Sequence, residues 1–276
     1  MPKYEWKKTK TIYWSDEAND DFNVTVTSRP GVPSDYNYIR TNHFANFFSA
    51  ILYHFFAKIF LGLFCVCHGI RFKGKQNLKK LKGKGAYIYS NHVSISDVFK
   101  FQCMPFFWKK RVNILGYSDS LTIPVVRRII KGLGYLPVPL KGDVDNSLKL
   151  LEACDYYVKK GEYVLIYPEA HIWPYYTHIR NYRAGAFSYP AKRMSPILPT
   201  VTTWRKPLIG KKPKQTVYIC EPIYPREDLT TSQNIEYLHA ECLKVMRAIS
   251  ENIPQYEYIK YIYQPREETS HVPQEN

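Results

Sequence analysis

The sequence predicts an α/β protein, a central mixed, mostly parallel sheet flanked by helices, with an N-terminal membrane-interface helical segment in front of it. Three observations predict this. From residue 85 onward, short runs rich in β-branched and aromatic residues alternate with helical patterns. The run Tyr163-Val164-Leu165-Ile166-Tyr167 is apolar without alternation, as in a strand covered on both faces. Residues 44–68 (FANFFSAILYHFFAKIFLGLFCVCH) form a single apolar stretch ahead of the alternating part.

Residues 1–41 are polar and turn-rich, with an acidic knot (Asp16, Glu17, Asp20, Asp21) that reads as solvated surface. No apolar run follows Met1 closely, so a secretory signal is not expected. On a helix, Asn46, His54 and Lys58 share one narrow stripe while Phe47, Phe48, Ile51, Leu52, Phe55, Ile59, Phe60, Leu63 and Phe64 cover the rest. That pattern suits a helix lying in a lipid interface. A bilayer span would hold Lys58 deep in hydrocarbon at about 3 kcal/mol, and a buried core helix is the bland alternative.

The strand candidates are residues 86–89, 112–115, 135–138, 163–167, 197–202 and 216–220. Helices are expected over 97–107, over 123–131 with Pro124 in the first turn, over 147–160 with Asn146 as cap, and over 232–253. Gly161 stops the third of these. The chain divides into a polar N-terminal segment (1–41), an apolar interface segment (42–70), an α/β domain (71–263) and a disordered tail (264–276).

Aromatic residues at 16% and charged residues at 23% mark a globular chain and exclude a disordered one. The net charge of +15 calls for an anionic partner. Arg71, Lys73, Lys75, Lys79, Lys80, Lys82 and Lys84 follow directly on the apolar stretch, which points to a membrane surface with anionic lipid. No nucleic-acid motif accompanies the charge, so nucleic acid is not an expected partner. The six cysteines lack zinc-like spacing and read as reduced core thiols of a cytosol-facing protein.

The chemistry-bearing stretch is Ser90-Asn91-His92-Val93-Ser94-Ile95-Ser96-Asp97. On one continuous helix His92 and Asp97 would stand about 140° apart and never meet. With His92 on the loop after a strand and Asp97 in the first helical turn, the carboxylate can orient the imidazole as a general base. A second strand delivers Glu169, and working groups in α/β sheets gather at such carboxyl ends. His171 and His178 lack a third ligand at useful spacing, so no metal site is expected.

The ordered set Asn91-His92-x4-Asp97, Gly134-Tyr135-Leu136-Pro137-Val138-Pro139-Leu140, Tyr167-Pro168-Glu169, Gly185-Ala186-Phe187 and Pro196-Ile197-Leu198-Pro199 resembles the glycerolipid acyltransferases, the lysophosphatidic acid acyltransferase superfamily. The resemblance covers roughly residues 70–225 and lies in order and spacing. It implies that His92 takes a proton from a glycerol-type hydroxyl, with Asp97 orienting it, and that the oxygen attacks the thioester of an acyl-CoA or acyl carrier protein. No cofactor, metal or acyl-enzyme is implied.

Two departures stand out. The family's second block ends in an arginine where this chain has Leu140, and its Glu-Gly-Thr-Arg block is here Glu169-Ala170-His171-Ile172. Those arginines suit an acceptor phosphate. Candidate substrate-binding residues are therefore Asn91, Glu169, Lys141, Lys110 and Arg183, with Arg180 a further replacement charge. The expected activity is O-acyl transfer to a lysophospholipid-like acceptor by a membrane-associated protein, monotopic on the cytoplasmic face. The alternatives are a non-catalytic lipid-binding relative and, from another class, a basic nucleic-acid binder.

Overall fold

In chain order the strands are β1 (Thr11–Trp14), β2 (Arg71–Lys73), β3 (Ala86–Ser90), β4 (Val112–Tyr117), β5 (Tyr135–Val138), β6 (Tyr163–Ile166), β7 (Ile197–Arg205), β8 (Lys214–Ile219) and β9 (Lys260–Tyr263). The structure, a computed structural model, describes residues 6–22, 30–40, 43–103, 110–118 and 129–265. Seven strands form one sheet in the order β2-β8-β7-β3-β6-β4-β5, parallel except where β7 meets β8. The fold class is the one expected, a mixed and mostly parallel sheet flanked by helices.

The helices are α1 (Trp6–Thr9), α2 (His43–Ile51), α3 (Lys58–Cys67), α4 (Asp97–Cys103), α5 (Val144–Lys159), α6 (Ser188–Lys192) and α7 (Thr231–Asn252). Every residue of β3 and β6 is buried. Alternation then assigns the two faces: Tyr87, Tyr89, Val164 and Ile166 pack with Leu150, Ala153 and Cys154 of α5 and Leu238, Cys242 and Met246 of α7. Ala86, Ile88, Tyr163 and Leu165 pack with Phe101 of α4 and with Leu78 and Leu81. Helix α7 opens on a capping box between Thr230 and Gln233.

Two expectations change, the start of α5 and its cap. Helix α5 starts earlier than 147, because Asp143 caps it by accepting from the Asn146 backbone N–H at 3.1 Å. Asn146 instead donates from its amide to Val32 O at 3.2 Å. Within the polar N-terminal segment β1 pairs with β9, and Val32, Tyr36 and Tyr38 enter the core over α5. Residues 104–107 and 123–128 of the two expected helices, and 266–276 of the expected tail, lie outside the described residues.

Helices α2 and α3 join through a π-helical stretch, Leu52–Ala57, into one rod. One side turns inward onto the domain: the Ser49 hydroxyl donates to Gly132 O at 2.7 Å, the Tyr53 hydroxyl accepts from the Val112 N–H at 2.8 Å, and Lys58 is buried, whereas His54 of the expected polar stripe is exposed. The apolar side turns outward, with Phe60 67% and Val66 75% exposed and Phe44, Phe47, Phe48, Phe55, Ile59 and Leu63 also uncovered. The stretch Asn46–Cys67 is long and apolar enough, by length and composition, to cross a bilayer.

Candidate active site

His92 follows β3, and Asp97 is the first residue of α4. The loop between them folds back so that His92 Nδ1 stands 3.0 Å from Asp97 Oδ2. The same oxygen accepts from the Val93 and Ser94 N–H groups at 2.8 and 2.9 Å. Asp97 thus closes the turn that carries the histidine, and as the first residue of α4 it sits where a helix dipole favours a carboxylate.

The other oxygen, Oδ1, accepts from Lys100 Nζ at 2.5 Å, and Lys100 also donates to the Thr202 hydroxyl on β7. Both Lys100 and Asp97 are fully buried. Burial favours the neutral acid, but the Lys100 charge and the His92 hydrogen bond outweigh it and hold Asp97 below its ordinary carboxylate range. A charged carboxylate accepts, so the imidazole proton sits on Nδ1. The lone pair is then on Nε2, for which the described residues supply no hydrogen bond.

The His92 side chain is 13% exposed and stacks on the Tyr167 ring, with centroids 4.1 Å apart and planes at 19°. Burial, and after it the Asp97 charge, pushes the Tyr167 phenol well above its ordinary value, so it stays protonated. Its hydroxyl is buried with no hydrogen-bond partner among the described residues, and it stands beside the imidazole as an unspent donor.

Glu169 follows β6 and is buried. Its Oε2 accepts from the His92 N–H at 3.2 Å and from Arg180 Nη2 at 3.0 Å, while Oε1 accepts from the Arg180 N–H at 3.1 Å. Arg180, itself buried, also donates to His171 O and lies over the Trp173 ring at 4.8 Å. Both therefore act within the frame, tying the His92 backbone to the loop after β6. His171 and Trp173 are held in turn by the N-terminal segment, through Asp21 Oδ2 at 2.9 Å and Asp20 O at 2.8 Å.

Of the expected substrate-binding residues, Asn91 holds the Thr202 peptide with its buried amide, accepting at 2.8 Å and donating at 3.0 Å, and so splices β3 to β7. Glu169 lies between the His92 backbone and Arg180. Lys110 donates from its ammonium to the Gly83, Lys84 and Gly161 carbonyls, at the opposite end of the sheet from His92. Lys141 and Arg183 are exposed, and the structure gives neither a contact with His92. Lys100 escaped the sequence reading, although its i,i+3 spacing from Asp97 on a helix was a usable signal.

Ala170 occupies a left-handed conformation, φ 61°, one residue after Glu169. Alanine is strained there by about 1 kcal/mol, partly offset by the extra chain entropy glycine loses on folding. Ala170→Gly is therefore expected to raise stability by a few tenths to about 1 kcal/mol. A denaturation midpoint that falls instead would contradict this.

The strand ends of a mostly parallel sheet thus hold a partly buried histidine, backed by a buried carboxylate and a buried lysine. Residues 69–203, just under half of the chain, match the family model described as Acyltransferase, a segment that includes His92, Asp97, Glu169 and Thr202. Among solved structures it is similar to the 1-acyl-sn-glycerophosphate (LPA) acyltransferase PlsC from Thermotoga maritima. Identity is 15% and the TM-score 0.49, over 67% of this chain and 74% of that one. None of the curated proteins matches the sequence significantly.

Proposed function

We propose that the protein is a membrane-associated O-acyltransferase of phospholipid biosynthesis, moving an acyl chain from acyl-CoA or acyl carrier protein to a hydroxyl of a lysophospholipid-like acceptor. The observation that carries this reading is the His92–Asp97 pair at 3.0 Å, with Nε2 left open, inside a family-matched domain. Nε2 removes the hydroxyl proton as the oxygen attacks the thioester carbonyl. The C–S bond then breaks, and the departing thiolate takes the proton back from the imidazolium. Asp97 stabilises that imidazolium. The acyl chain passes directly between substrates, so no residue need carry it.

Lys141 and Arg183 are the exposed cations proposed to meet substrate phosphates, since Lys100 and Arg180 are consumed by internal carboxylates. The outward apolar side of the rod is proposed to lie in a bilayer carrying anionic lipid, on its cytoplasmic face, with the basic run from Arg71 to Lys84 near the headgroups.

The test offers purified protein a panel of acyl-CoA and acyl carrier protein thioesters with lysophospholipids that have or lack a phosphate monoester. Free thiol and acylated lipid are expected in equal amounts, and only with both substrates present. Thiol release independent of acceptor would indicate a hydrolase. Lipid bound without turnover across the panel would leave the non-catalytic relative.

A further inference from the structure

The hairpin between β7 and β8 presents a surface that the acyl-transfer chemistry does not use. The strands pair antiparallel from Thr200↔Ile219 to Arg205↔Lys214, and residues 206–213 connect them as Lys-Pro-Leu-Ile-Gly-Lys-Lys-Pro. At the tip, Leu208 is 96% and Ile209 90% exposed. A lone exposed aliphatic residue is ordinary. Two adjacent ones at the point of a hairpin, with Lys206, Lys211 and Lys212 exposed around them, form an apolar tip with a cationic collar.

The position of this tip gives the pattern meaning. Arg205 donates to Gly69 O, and the Lys214 side chain packs over Gly69, so the base of the hairpin is fastened just beyond the end of α3. The exposed Leu63 and Val66 belong to that end of the rod. Strand β7 runs parallel to β3, with Thr200 opposite Ser90, and continues to Arg205 past the level where Thr202 meets Asn91 and Lys100. The tip therefore projects from the His92 end of the sheet.

We propose that Leu208 and Ile209 insert into the acyl region of a bilayer containing anionic lipid while Lys206, Lys211 and Lys212 meet its headgroups. This would make the tip a second membrane contact that turns the His92 end of the sheet toward the lipid. Charge complementarity and continuity with the apolar rod select the lipid surface as occupant. The inference rests on the reading that the rod faces lipid. It adds an orientation: with two separated contacts the domain cannot rotate about the rod, and an acceptor leaving the headgroup layer meets His92 directly.

The test compares three proteins by sedimentation with phosphatidylcholine vesicles that contain or lack phosphatidylglycerol: the full chain, Leu208→Ser with Ile209→Ser, and Phe60→Ser with Leu63→Ser. Burying two aliphatic side chains is worth well over one order of magnitude in partitioning. The hairpin variant is expected to lose at least tenfold of its binding to the anionic vesicles, with an unchanged melting temperature because the tip touches nothing in the fold. Exchanging Lys206, Lys211 and Lys212 for glutamine is expected to reduce the preference for anionic vesicles, the remainder coming from the basic run Arg71 to Lys84, and an undiminished preference would count against the cationic collar.

Unchanged binding of the hairpin variant, with binding lost in the rod variant, would overturn the hairpin proposal and leave the membrane reading standing. A full chain that binds neither vesicle would overturn both. A nitroxide at position 209, placed with Ile209→Cys and Cys67→Ser, supplies a direct readout. Vesicles should raise its oxygen accessibility and shield it from a water-soluble relaxant; unaltered exposure to the relaxant would also overturn the proposal.

Discussion

Replacing His92 with alanine is expected to lower acyl transfer by about 10²–10⁴-fold, the range a positioned general base supplies. The structure makes the reason specific. Asp97 Oδ2 accepts from Nδ1 at 3.0 Å, so the neutral imidazole carries its proton there and its lone pair on Nε2. Without the ring, an acceptor hydroxyl has no described base of comparable placement. Asp97→Asn should approach the same loss, because an amide turned to donate toward Nδ1 reverses the tautomer and leaves the proton on Nε2. Acceptor-dependent thiol release measures both effects, with circular dichroism as the folding control. Undiminished turnover in a folded His92→Ala protein would remove the proposed mechanism.

Lys100→Met should produce the largest change in stability, about 3–5 kcal/mol, because it leaves Asp97 buried without its counter-charge. The sign of its pH dependence follows from Asp97. In the native protein the carboxyl lies below its ordinary range, so it contributes stability that is present above that range and lost as pH falls through the depressed value. In the variant, burial is opposed only by His92 and two backbone N–H groups, so the carboxyl moves upward and favours the neutral acid. The deficit against the native protein should therefore be greatest at neutral pH and shrink as pH falls below about 5. Denaturation midpoints across that window check it, and a deficit independent of pH would show that Lys100 contributes packing alone.

How far the sequence could be read depended on how local the governing interaction is. Strands such as Tyr135–Val138 and Tyr163–Ile166 are visible because a buried strand writes its apolar character into adjacent residues. The possibility that His92 and Asp97 meet was visible because a loop-to-helix transition within six residues brings them to one turn. The internal partners of Asn91 and Glu169 were invisible for the opposite reason. Their polarity suggested substrate contact, yet their partners, Thr202 and Arg180, stand at sequence distances no pattern encodes. Of the polar stripe expected on the rod Lys58 is buried and His54 exposed, and the inward side is set instead by Ser49 and Tyr53, whose partners Gly132, Arg111 and Val112 come from another part of the chain.

By itself the sequence determined the α/β class, the order of the motif blocks and the residues able to act as base and orienter, because hydrophobic period and short-range spacing carry that information. Only the tertiary structure decided which polar residues are spent inside the frame, that Lys100 neutralises the buried Asp97, and that the rod turns its apolar side outward. Those outcomes rest on desolvation and hydrogen-bond satisfaction between distant segments, and such terms exist only once the sheet has brought the segments together.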